Sequence, residues 1–150
     1  GLCLVGSEMC IRDRYMLRRA STAPRRPAPA RRARARSRKK TLIAASNYAD
    51  SLRDLQHFEE SRSLLRKTVP VARRILGEND SLTLTMRWNY ANALYKDDDA
   101  TRGDLREAVT TLEDTERIAR RVLGGAHPAT VDIAASLQTA RAALYARGLP

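Results

Sequence analysis

Apolar residues recur every three or four positions along much of the chain after residue 40. The longest stripe runs through Phe58, Ser61, Leu65, Thr68, Ala72 and Ile75, and an equivalent one runs through Leu105, Ala108, Leu112, Thr115, Ala119 and Val122. This spacing is typical of the buried face of an α-helix. Shorter stripes lie at Met86, Tyr90, Ala93 and Leu94 and at Ile133, Leu137, Ala140 and Leu144. Because no alternating β-type pattern occurs, the sequence predicts an all-α fold.

These helical patterns belong to an internal repeat. The segment ARRILG at 72–77 recurs as ARRVLG at 119–124, and NYADSL at 47–52 recurs as NYANAL at 89–94. The first offset is 47 residues and the second is 42, so five residues are inserted between Leu94 and Leu105. The insertion contains Asp97-Asp98-Asp99 and Gly103, which suit a lengthened surface turn. Residues 41–150 are therefore predicted to form one domain of about two and a half helix pairs.

Helix boundaries are predicted from residues with special backbone or capping roles. Gly77 and Gly124 each follow a helix that ends in two arginines, where a left-handed glycine is favoured. Ser81 is expected to cap the next helix, and Pro128 is expected to open the last one. Pro70 falls inside a helix, so we expect a bend close to it.

The order of these motifs resembles a known repeat family. A helix with Asn-Tyr-Ala-x-x-Leu, a tight turn, a long helix ending Arg-Arg-Ile/Val-Leu-Gly and then His127-Pro128 is similar to the extended tetratricopeptide repeat of kinesin light chains. The resemblance covers residues 41–150. It implies a right-handed helical solenoid whose first helices line a concave groove that binds extended peptides. The chain departs from the family pattern at Asn79-Asp80-Ser81, at Pro70 and at the insertion.

The resemblance also assigns groove residues, one position at a time. They are Asn47, Asp50, Trp88, Asn89, Asn92, Tyr95, Ser136 and Thr139. An asparagine amide can both donate to and accept from a peptide backbone, and a tryptophan offers a flat apolar anchor. The alternative is that Asn47 and Asn89 satisfy neighbouring backbone groups and that Trp88 belongs to the core.

No catalytic residue, cofactor or metal site is predicted, so the domain is expected not to be an enzyme. The only histidines, His57 and His127, fall in turns between helices. The acidic run at 97–99 with Asp104 lacks the spacing of a calcium loop and is expected to be a solvated turn. Gly124-Gly125 follows a helix and lacks the Gly-Lys-Ser/Thr of a phosphate-binding loop. No nucleophile with a nearby base can be proposed.

Charge divides the chain into two parts. Residues 1–40 hold 13 of the 28 lysines and arginines against Glu8 and Asp13, whereas residues 41–150 hold 15 residues of each sign. From Tyr15 to Lys40 the chain contains prolines and no acidic residue. Residues 1–40 are therefore expected to form a disordered basic arm. Three interpretations stay open: an organelle transit peptide, a nuclear or nucleic-acid-binding arm, or translated untranslated sequence.

The first fourteen residues need a separate interpretation. Residues 4–14 look like the translation of a sequencing adapter, which would make Cys3 and Cys10 artefacts. Both cysteines precede the predicted domain, so no disulfide framework is expected within it and a reducing compartment is the default. No apolar run is long enough to cross a membrane.

Two functions are consistent with the sequence. The first is a protein–protein adaptor that binds peptide segments of partners, as the kinesin light chain resemblance implies. The second is an accessory repeat module of a larger protein, such as a nucleotide-binding switch or an enzyme with its catalytic domain elsewhere. We expect protein or peptide partners, no sequence-specific nucleic acid, no membrane, self-association through exposed repeat ends, and a cytoplasmic location.

Overall fold

The structure, a computed structural model, describes residues 29–148, and all regular secondary structure in that range is helical. The helices are α1 (Pro29–Asp54), α2 (Phe58–Leu76), α3 (Ser81–Tyr95), α4 (Arg102–Val122) and α5 (Pro128–Ala146). From Arg34 onward they form one compact unit. The predicted all-α repeat fold is confirmed. The adapter-like residues 4–14, with Cys10, and the preceding Cys3 lie outside the described residues.

Helix α1 begins earlier than the sequence predicts. Residues 29–40 were expected to be disordered, but in the structure they form the first turns of α1. The expectation of disorder is therefore wrong for them. Alanine and arginine are both good helix formers, and a proline at the first helical position loses no hydrogen bond. The turns after residue 41 also provide a nucleus onto which further residues add at little cost. The rest of the predicted arm, residues 1–28, lies outside the described residues.

The two complete helix pairs bury equivalent positions. The 42-residue equivalents in α1 and α3 are Leu42 and Leu84, Ala49 and Ala91, and Leu52 and Leu94, and all six are buried. The 47-residue equivalents Leu65 and Leu112 are fully buried in α2 and α4. Ala49 of α1 and Ser61 of α2 have small side chains, which let these two helices approach closely. The Ser61 hydroxyl donates to the Ala49 carbonyl oxygen at 2.9 Å. Residues that repeat in the sequence therefore occupy equivalent buried positions in the two helix pairs.

Helix α5 corresponds in position to α1 and α3, the first helices of the two pairs. Its inner face buries Ile133, Leu137 and Ala140 against α3 and α4. At the positions equivalent to Leu84, Ala91 and Leu94, however, α5 carries Val131, Gln138 and Arg141, none of which is buried. Val131 is 53% exposed. The outer face of α5 therefore lies in water, because no described helix covers it.

Most of the predicted helix boundaries hold. Gly77 and Gly124 both have φ of 94°, as expected for glycines that end a helix. The expected cap of α3 is wrong by one residue, since Asp80 rather than Ser81 accepts the backbone N–H of Leu82, at 2.9 Å. A carboxylate is a good acceptor at this position. Pro128 is the first residue of α5, as predicted.

The insertion forms the connection between α3 and α4. Within it, the Asp97 carboxylate accepts the backbone N–H of Asp99 at 3.0 Å, which closes a local turn. Arg147, after α5, donates to the carbonyl oxygens of Asp98 and Ala100. These bonds hold the inserted turn against the end of α5.

Candidate peptide-binding groove

Helices α1, α3 and α5 lie side by side, with α3 in the middle. Arg53 of α1 reaches α3, where its guanidinium donates to Asn89 Oδ1 at 3.3 Å. Trp88 of α3 reaches α5, where its indole N–H donates to Ser136 Oγ at 2.8 Å. These two bonds define a polar seam that crosses α1, α3 and α5. We call this seam, with the residues that line it, the groove.

Two aromatic residues of α3 border the α5 side of the groove. Trp88 and Tyr95 lie seven residues apart, about two helical turns, and are half-buried against the core. Burial raises the pKa of Tyr95, and the Ser136 hydroxyl and the charge of Arg53 oppose that rise. Tyr95 therefore lies close to Ser136 of α5 and within the electrostatic field of Arg53 of α1.

The two asparagines of α3 are buried beneath the groove. Asn89 is 3% exposed and Asn92 is 2% exposed. Asn89 Nδ2 and Asn92 Oδ1 have no hydrogen-bond partner among the described residues. Each buried polar atom without a partner costs about 1–3 kcal/mol. One unused donor and one unused acceptor therefore lie a single helical turn apart.

Arg53 lies over Asn89, and no sequence motif singles it out. Its guanidinium contacts Asp50 Oδ1 at 2.8 Å and Asp54 Oδ1 at 3.1 Å, and its side chain is 20% exposed. The three-residue spacing of Asp50 and Arg53 is a sequence signal for a pair on one helix face. The contact with Asn89 carries no such signal, because it joins residues 36 positions apart.

The remaining predicted groove residues lie toward the edges. Asn47 and Thr139 are exposed. The Asn47 carbonyl accepts a bond from Ser51 at 3.1 Å, and the Thr139 hydroxyl donates to the Ala135 carbonyl at 3.1 Å. Both bonds are local to one helix. The structure thus brings Asp50, Trp88, Asn89, Asn92, Tyr95 and Ser136 together, and it leaves Asn47 and Thr139 outside that cluster.

The two histidines, which were weighed as catalytic residues, form local structural contacts. His127 caps α5, because its Nδ1 accepts the backbone N–H of Ala129 at 3.2 Å. His57 is exposed in the turn before α2, where Nδ1 lies 3.1 Å from Glu60 Oε1. Within residues 29–148, no three His, Cys, Asp or Glu side chains are placed to hold a metal ion. None of the described helices has the length and apolarity needed to cross a bilayer.

Stacked antiparallel helix pairs with a seam along their first helices define a helical-repeat protein. The family model described as tetratricopeptide repeat matches residues 41–82, which span the C-terminal half of α1, all of α2 and the start of α3. This match supports a tetratricopeptide repeat protein, and such repeats in general are protein–protein interaction modules that typically have no catalytic role. No curated protein and no solved structure gives a significant match.

Proposed function

We propose that the protein is a scaffold or adaptor of the kinesin light chain-like tetratricopeptide type, which binds a peptide segment of a partner in the groove between α1, α3 and α5. The observation that carries the proposal is the pair of unused polar atoms, Asn89 Nδ2 and Asn92 Oδ1. An extended peptide presents one carbonyl acceptor and one N–H donor per residue, which is the complement of this pair. Binding would satisfy atoms that otherwise cost stability.

The aromatic side of the groove supplies the apolar part of the interaction. Trp88 and Tyr95 are only half-buried, so each retains surface that a peptide side chain can cover. Aromatic residues lose little conformational freedom on binding and are frequent anchors in interfaces. Ser136 fixes the Trp88 ring through the 2.8 Å bond, which holds it ready for contact.

Access to Asn89 requires that Arg53 move. Its guanidinium donates to Asn89 Oδ1 and forms an ion pair with the Asp50 carboxylate, so the Asn89 amide is covered in this conformation. The Arg53 side chain is long and partly exposed, and it can rotate outward without a change in the helix backbone. Peptide binding is therefore expected to exchange the Arg53–Asn89 bond for bonds to the peptide.

The test uses the only tryptophan of the chain, Trp88, as a reporter. Peptides without tryptophan are selected from a random 12-residue display library against the full chain, and their affinity is measured by the change in tryptophan emission and by calorimetry. Asn92→Ala should weaken binding about tenfold, which corresponds to the loss of one hydrogen bond with its desolvation cost. Ser136→Ala should also weaken binding, because it removes the bond that holds the Trp88 ring in place.

Two exposed residues away from the groove provide controls. Thr110 lies on α4 and Tyr145 near the end of α5, and Thr110→Ala and Tyr145→Ala should bind the same peptides with unchanged affinity. The proposal fails if the selected peptides bind the groove variants as tightly as the original chain, or if the control variants lose as much affinity as the groove variants.

A further inference from the structure

The first turns of the compact unit form a basic helical segment that is exposed among the described residues. Residues 34–40 belong to α1, and every side chain in this range is exposed. Arg34, Arg36, Arg38, Lys39 and Lys40 carry five positive charges, and the range contains no acidic residue. Among the ion pairs between described residues, only Lys39 of this range takes part, through Asp80 at 3.4 Å.

The four remaining cations point to two opposite sides of the helix. At 3.6 residues per turn, Arg34 and Arg38 lie on one side, and Arg36 and Lys40 lie about 200° away. Each of these pairs is spaced i,i+4, where like charges repel and destabilise a helix. The segment is therefore under electrostatic strain that a surrounding anion would relieve.

This arrangement fits a groove with negative charge on both walls better than a flat surface. An anionic bilayer could contact only one side of the helix at a time. It would also find no apolar side to insert, because the residues between the cations are Ala35 and Ser37. The major groove of B-form DNA admits an α-helix and has phosphates along both edges, whereas that of double-stranded RNA is too deep and narrow.

We propose that residues 34–40 form a DNA-binding helix that enters the major groove of duplex DNA and contacts phosphates without reading sequence. Arg34, Arg36, Arg38 and Lys40 make the contacts, and the Lys39–Asp80 pair joins the segment to the start of α3. The site is separate from the groove between α1, α3 and α5, so the chain would connect a peptide partner to DNA.

The test compares the full chain with two variants that lose the same number of charges. In the first, Arg34, Arg36, Arg38 and Lys40 are all replaced by Gln. In the matched control, four exposed cations of the repeats that form no ion pair among the described residues are replaced by Gln; they are Arg66, Lys67, Arg74 and Arg106. Binding to a 20-base-pair duplex of mixed sequence is measured by fluorescence anisotropy between about 50 and 200 mM salt.

Four phosphate contacts predict a definite salt dependence. The slope of log K against log salt should be smaller in magnitude by about 3.6 for the first variant than for the original chain, and affinity at low salt should fall at least tenfold. The control variant should keep the slope of the original chain. Circular dichroism of each variant establishes that the repeats remain folded.

Three results would overturn the proposal. One is an unchanged slope in the first variant, and another is an equal loss in the control variant, which would indicate attraction by net charge alone. The third is tighter binding of the original chain to double-stranded RNA of the same length, or to vesicles of phosphatidylserine and phosphatidylcholine, than to the DNA duplex. Equal affinity for duplexes of unrelated sequence supports contact through phosphates.

Discussion

Asp104 connects the two helix pairs at the start of α4, and its replacement by alanine should measurably destabilise the fold. Its Oδ2 accepts the backbone N–H of Thr101 at 2.9 Å and the Thr101 hydroxyl at 2.6 Å, while the Thr101 hydroxyl oxygen accepts the Asp104 N–H at 3.1 Å. This reciprocal arrangement is a capping box. Its Oδ1 also accepts a bond from Arg62 of α2 at 2.9 Å.

The expected loss follows from these contacts. Loss of a capping interaction costs about 1 kcal/mol. The partly exposed ion pair with Arg62 adds about 0.5–1 kcal/mol. Asp104→Ala should therefore lower the free energy of unfolding by about 1.5–2 kcal/mol at neutral pH, measured by urea denaturation followed by circular dichroism. Asp99→Ala is the matched control, because this exposed carboxylate forms no ion pair among the described residues, and its effect should stay below about 0.5 kcal/mol.

The same contacts predict a pH dependence with a definite sign. Hydrogen bonds from the Thr101 side chain and backbone, and then the charge of Arg62, hold the pKa of Asp104 below its ordinary value. A carboxylate whose pKa is lower in the folded state contributes stability above its unfolded pKa of about 4 and loses it as pH falls through the lower folded value. The difference between the original chain and Asp104→Ala should therefore narrow below about pH 4. A difference that is the same at neutral and acid pH would refute the reasoning.

Two further predictions concern the backbone of the repeats. Gly77→Ala should cost about 1–2 kcal/mol, because φ is 94° and no atom lies within 4 Å of the added Cβ, so that only conformational strain acts. Gly125→Ala, which also finds open space but without a positive φ, is the control for urea denaturation, and equal effects would contradict this account. Pro70→Ala should stabilise the protein by about 1–2 kcal/mol, since it restores an N–H for the Arg66 carbonyl at an exposed position inside α2. A lower melting temperature for Pro70→Ala would show that the proline is not strained there.

Much of the fold could be predicted from the sequence because the information is local and is repeated. The apolar stripes with their glycine ends predicted α2 and α4, and the equivalent positions Leu65 and Leu112 are indeed fully buried. The length of α1 could not be predicted in this way. Proline and charge in residues 15–40 indicated disorder, but residues 29–40 have high helix propensity and adjoin a helix that tertiary packing holds in place.

For the groove, the sequence predicted which residues lie there but not which atoms meet. Residue types and the family resemblance predicted which helices line it, and six of the eight predicted residues lie together in the structure. The sequence did not indicate that Arg53 lies over Asn89, because that contact spans 36 residues. Whether the predicted groove residues bind a peptide stays a prediction, as does self-association through the outer face of α5.

By itself, the sequence determined the periodicity, the helix ends and the number of helix pairs, because each of these depends on residues within a few turns of one another. Only the tertiary structure decided which polar atoms meet: Arg53 with Asn89, Trp88 with Ser136, and Asp104 with Arg62. The reason is geometric. Contacts between stacked helices depend on how far each helix is rotated and displaced against its neighbour, and that is set by the summed packing of many side chains rather than by any short segment of the chain.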